Sequence, residues 1–194
     1  MKHATSRVLY EYWNRVRGER AAPERTDMKP EAIGKILGDV FILEACESRP
    51  YNVRLAGTQI CTLLGRELRG QSFVDPFAAD ERTEIYSLLD SAARMTMPVI
   101  ASVTGETGDR RLLALELLLL PLRHQGRTDA RLIGSLAALS KPYWSTLVPL
   151  ACLRVASSRF VRHEDTATSE NESRSPVRRL QAAPQLRVVR GGRY

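Results

Sequence analysis

The sequence predicts an α+β domain: a five-stranded antiparallel sheet with helices on one face and an amphipathic N-terminal helix covering the other. Three observations predict it. Strand-like segments follow one another across tight turns, which favours antiparallel neighbours. The connecting helices all fall between the second strand and the third, so they gather on one side. Within residues 111–120, Leu113, Leu115, Leu117 and Leu119 form one face, and Leu112, Ala114, Leu118 and Leu120 fill most of the other. Both faces of that strand therefore need cover. The middle helices supply one cover. The N-terminal helix, or a second copy of the chain, supplies the other.

The elements follow in order. Residues 6–17 place Val8, Leu9, Tyr12, Trp13 and Val16 on one helical stripe, and Gly18 ends it. Residues 21–27, with Pro23, are a loop. Pro30 opens a short helix over 31–37, closed by Gly38. Residues 40–45 are β-branched and aromatic, hence a strand. Residues 48–50 turn the chain, and 51–55 alternate apolar and polar as a second strand. A short helix spans 59–64 before Gly65. Residues 80–95 form the main helix, with Ile85, Leu88, Leu89 and Ala92 on one face and Asp80 as N-cap. Strands at 99–104, 111–120 and 131–139 complete the sheet. Residues 146–161 are read as a further, C-terminal helix, broken by Pro149. Glu116 sits on an apolar face, so an edge position or an Arg partner is expected. Arg54 is expected to pair with Glu44 across the hairpin or to meet an anionic ligand.

Composition bounds the chemistry. The chain has 194 residues, enough for one self-sufficient core. Cys46, Cys61 and Cys152 form no CxxC pair, which excludes a disulfide framework and a structural zinc site. The longest apolar stretch, 112–122, is interrupted by Glu116 and Pro121 and is too short to cross a bilayer. The first 17 residues carry scattered charge and no apolar signal region, so no membrane insertion and a cytoplasmic location are expected. Net charge is +7, and almost all of the cations are Arg. Residues 162–194 lack apolar periodicity and hold seven Arg against four acids, so a disordered basic tail is expected there. The expected layout is a flanking helix over 1–20, the domain over 28–145, a helix over 146–161 and the tail.

Four stretches in this order resemble the PAS domain, and more narrowly the single-domain PAS proteins of alphaproteobacteria. They are Tyr12-Trp13-Asn14-Arg15, Tyr51 to Thr58, Gly65 to Phe73, and Glu116 to Leu122. The resemblance covers about residues 5–145. It implies a non-enzymatic sensory or regulatory protein of bacterial signalling that works by protein contact. It implies a homodimer, with Val8, Leu9, Tyr12, Trp13 and Val16 as the interface, and a signalling protein as partner. PAS domains hold small molecules between sheet and helices. The candidate pocket here is Val53, Ile60, Leu64, Phe73, Ile85, Leu89, Val99 and Leu115, and filling of the core by these same residues is the competing reading.

No cofactor is expected. In flavin photosensors of this fold a cysteine follows the Gly-bounded turn; the matching position here is Phe73. Haem-binding relatives place a His on the main helix, and residues 79–95 contain none. His3, His124 and His163 are too scattered for a triad or a metal cluster. No GxGxxG or GxxxxGK[ST] is present, so no phosphate cradle arises. Binding of nucleic acid through the Arg-rich tail is the alternative function.

Overall fold

The computed structural model describes residues 1–45 and 51–161. The turn expected at 48–50 and the basic tail expected at 162–194 lie outside the described residues. Helix α1 spans Ala4–Arg17. His3 caps it: its ring Nδ1 accepts the Thr5 N–H at 3.1 Å. Arg15 and Arg17 in the last turn suit the helix dipole, and Gly18 leaves the helix at φ 58°.

Next come 3₁₀ turns at Arg25–Asp27 and Pro30–Asp39. The helix expected at 31–37 is thus a 3₁₀ segment, broken at Ile33 by non-helical backbone (φ −121°, ψ 20°). Strands β1 (Val40–Glu44) and β2 (Asn52–Ala56) form the first hairpin. Helix α2 (Thr58–Leu64) ends at left-handed Gly65, and α3 spans Arg82–Arg94. Strands β3 (Val99–Thr107), β4 (Leu112–His124) and β5 (Arg127–Ala138) follow, then β6 (Leu150–Phe160).

The sheet order is β2-β1-β5-β4-β3-β6, with every neighbouring pair antiparallel. Six strands among the described residues replace the five expected, because the segment expected as a C-terminal helix is β6. Leu150 and Leu153 look helical by their spacing. The open edge of β3 decides otherwise: Val103 pairs with Val155, Gly105 with Leu153 and Ile100 with Arg159. A nine-residue edge of unpaired backbone groups outweighs a weak local preference. Pro149 precedes the strand, where its missing N–H does no harm.

The sheet is buried on both faces, as the double-sided β4 requires. On one face Leu113, Leu115, Leu117 and Leu119 join a core closed by α2 and α3. On the other, Leu118 and Leu120 join Ile42, Ile100, Ile133 and α1's Leu9, Tyr12 and Trp13. The N-terminal helix therefore packs on its own sheet. The Trp13 Nε1–H donates to the Pro121 carbonyl at 2.8 Å, which fixes α1 over β4.

Asp80 does not cap α3. The helix starts two residues later, and Asp80 and Glu81 both accept from Arg154 of β6, at 3.2 and 3.0 Å. A cation reached through tertiary packing outcompetes the local cap. Gly57 is required where it stands: a Cβ there would lie 2.2 Å from the Leu37 carbonyl oxygen. The Gly57 N–H donates to Val40 at 2.8 Å, so the start of α2 is pressed against the root of β1.

Candidate functional site

The eight candidate pocket residues all meet. Val53, Ile60, Leu64, Phe73, Ile85, Leu89, Val99 and Leu115 belong to one cluster between the sheet and α2/α3, each at 8% exposure or less. Sheet periodicity supplies Val53, Val99 and Leu115, the stripes of α2 and α3 supply Ile60, Leu64, Ile85 and Leu89, and Phe73 comes from the irregular segment between those helices. Phe73 is buried within this cluster. Its ring lies 4.7 Å from Phe41 and 5.9 Å from Phe77, a tilted aromatic row.

The five candidate interface residues separate. Leu9, Tyr12 and Trp13 are buried against the chain's own sheet, Val16 packs at the margin of that cluster, and Val8 is exposed. Tyr12 is held by its hydroxyl, which accepts the Lys29 N–H at 2.8 Å.

Glu116 is neither at an edge nor paired with Arg. It lies on the inner strand β4, only 4% exposed, and its two oxygens accept the backbone N–H groups of Lys2 and His3 at 2.6 and 2.9 Å. Desolvation raises its pKa. The two N–H donors and the Ser6 hydroxyl outweigh that and hold it below the ordinary carboxylate value. The carboxylate is a clamp on the start of α1.

Glu44 gathers two cations. Arg131 Nη2 meets Oε1 at 2.8 Å and Arg54 Nη1 meets Oε2 at 3.0 Å. The Arg131 hydrogen bond is the main cause of its lowered pKa. The pairing expected for Arg54 is present; the Arg131 partner was not legible, because it comes from a strand 87 residues away.

Two concavities open beside this pair. An apolar groove of about 340 Å³ runs between the Pro30–Asp39 turn and the end of β2, on the α1 side of the sheet. A polar cleft of about 640 Å³ adjoins it and includes Glu44, Asn52, Arg54 and Arg69. Arg25, Ile42, Leu55 and Ala56 line both. The buried Asn52 Oδ1 has no hydrogen-bond partner among the described residues. Sequence reasoning missed this groove. Leu55 shares the apolar parity of Val53, but a register shift between Ile42 and Leu43 sets it opposite Ile42 and leaves it exposed, and the alternation of residues 51–55 does not signal that shift.

Among the described residues, no three His, Cys, Asp or Glu side chains are placed to hold a metal ion. Among them too, no helix is long and apolar enough to cross a membrane.

Residues 1–137 match the PAS domain family. The chain belongs to it. PAS domains serve sensory and signalling roles, and that is the role membership supplies here. Three solved structures are similar in part. A variant of RsLOV matches at 14% identity over 57% of this chain and 65% of its own, with a TM-score of 0.44. The LOV protein of Rhodobacter sphaeroides matches at 15% over 59% and 70%, also with a TM-score of 0.44. The PAS domain of an HTR-like protein from Haloarcula marismortui matches at 17% over 52% and 79%, with a TM-score of 0.36. The PAS chain spans just under two thirds of the first of these. No curated protein matches it.

Proposed function

We propose that this PAS protein regulates a cytoplasmic signalling pathway by contact, without chemistry of its own. It pairs with a second copy of itself and engages a signalling protein. The observation that carries this reading is the exposed apolar set at one end of the sheet. Leu112, Tyr143 and Leu147 are 64, 83 and 75% exposed. Arg111 stacks on Trp144 at 5.7 Å and joins the two segments that bear them. Side chains of this kind on a rigid frame suit recognition. The ionisable groups whose pKa values are displaced sit in ion pairs or backbone clamps, which supports binding over acid-base work.

The test is native mass spectrometry of the wild-type protein and of a Tyr143→Asp/Leu147→Asp variant, beside a turnover screen with common hydrolase and transferase substrates. A dimer mass that falls to the monomer in the variant, with no turnover, supports the reading. A wild-type monomer at every concentration, or robust turnover at an internal site, defeats it.

A further inference from the structure

We propose that the groove between the Pro30–Asp39 turn and β2 binds a small amphipathic anion: an acyl chain in the groove and its carboxylate on Arg25. This site lies on the face of the sheet opposite the α2/α3 core, so it is separate from the pocket expected between sheet and helices. It stands whether or not the protein acts by contact.

The geometry is asymmetric in the way such a ligand requires. The floor is Val40, Ile42 and Ile133 of the sheet, and the walls bring Met28, Ile33 and Leu37 from one side. Leu55 closes the other side while remaining 45% exposed. A volume of about 340 Å³ falls within the range of small-molecule sites. An aliphatic chain gains from burial there without needing any polar partner.

Of the four residues that line both the apolar groove and the polar cleft, Arg25 alone is charged. It is half-buried and has no hydrogen-bond or ion-pair partner among the described residues. The nearby acids are already engaged. Asp27 pairs with Arg20 at 2.9 Å, Glu24 with Arg123 at 3.4 Å, and Glu44 with Arg54 and Arg131, while Glu67 accepts the Leu68 and Arg69 N–H groups at 3.0 Å. An unpaired guanidinium beside a dry groove favours a carboxylate, which it can hold through two parallel N–H donors. A cationic head would be repelled, and a neutral alcohol would gain only the burial of its tail.

The test is isothermal titration calorimetry with octanoate, decanoate and dodecanoate below their micelle concentrations. Decanol and decyltrimethylammonium serve as head-group controls. The expected result is one-to-one binding that tightens about three- to fourfold per added methylene. Arg25→Gln should weaken decanoate about tenfold and leave decanol unchanged. Leu55→Glu, which sets an anion in the groove at an exposed position, should abolish decanoate binding. Circular dichroism melts confirm that both variants fold, and if one does not, the other carries the test. The proposal is overturned by any of three outcomes: no saturable binding, equal binding of decanoate and decyltrimethylammonium, or Arg25→Gln binding decanoate as well as wild type. Sedimentation with phosphatidylglycerol vesicles in place of monomer binding also overturns it, in favour of a membrane surface.

Discussion

Replacing Glu116 with Ala removes the clamp on the start of α1. The wild-type carboxylate accepts two backbone N–H groups, those of Lys2 and His3, from a position 4% exposed. Each hydrogen bond to a charged group is worth about 1.5–3 kcal/mol, and the pair acts as a unit rather than additively. The freed donors sit beside a small cavity lined by Met1 and Lys2, where water can reach them and reduce the loss. The net cost is about 2 kcal/mol, or a fall in Tm of about 4–8 °C for a domain of this size. Calorimetric melts at about pH 7 measure it. Hydrogen exchange over residues 4–17 should accelerate more than exchange over β4, since the perturbation frees one element. The pH dependence supplies a second check. A folded pKa below the ordinary value means that the stabilisation is fully present above the unfolded pKa and is lost as pH falls through the folded one. The gap between wild type and variant should therefore be full at neutrality and should narrow below about pH 4. A Tm within about 1 °C of wild type at pH 7, or a gap that does not change with acid, would refute the clamp.

Three further outcomes are expected. Trp13→Phe keeps most of the buried ring but leaves the Pro121 carbonyl without its donor, so the urea midpoint should fall by an amount worth about 1–2 kcal/mol with the m-value unchanged. Leu153→Ala should cost about 2–4 kcal/mol, because Leu153 is 1% exposed in β6; near-neutrality in the same unfolding assay would count against this buried strand position. Glu44→Gln should cost about 1–2 kcal/mol after solvent screening and should flatten the acid limb of a stability-pH curve, since the lowered pKa of Glu44 makes its contribution present above the ordinary carboxylate range and lost below it. An acid limb as steep as wild type's would sink that account.

Most of the frame was legible because it rests on period and punctuation. The double-sided apolar pattern of β4 called for two covering layers, and the stripe Leu9, Tyr12, Trp13 supplied the second. What stayed hidden depends on partners distant in sequence. Residues 150–160 carry the i, i+3 pair Leu150 and Leu153, and only the vacant edge of β3 makes them a strand. Asp80 has the chemistry of a cap, yet Arg154 takes it from 74 residues away. Glu116 was expected at an edge or beside an Arg, but backbone N–H groups at a helix start can also satisfy a buried carboxylate, and their position relative to β4 has no local signature. Of the candidate site, the inner cluster was recoverable because every member is an ordinary core position. The groove was not, because it is a gap between elements rather than a property of any one.

The size of α1 explains why that gap exists and why it lies over β1. A helix of 14 residues is about 21 Å long, whereas six strands at about 4.8 Å spacing span roughly 24 Å between the outer two. A helix about 10 Å wide cannot roof such a sheet. It lies over β4 and β5, where Trp13 and Leu9 meet Leu118 and Leu120. The β1 end is left to the Pro30–Asp39 turn, whose kink at Ile33 keeps it from forming a second continuous helix there. Gly57 then holds the β2–α2 junction against the root of β1, so the floor made by Val40 and Ile42 stays open toward Leu55. Straightening the turn should close the groove without touching its floor. Gly34→Ala, at a position with nothing within 4 Å of a new Cβ, raises the helical preference of the segment by about 1 kcal/mol. If the groove depends on this incomplete roof, that variant should bind decanoate more weakly than wild type while melting at the same temperature or above. Unchanged affinity would mean that the width of the groove is set elsewhere.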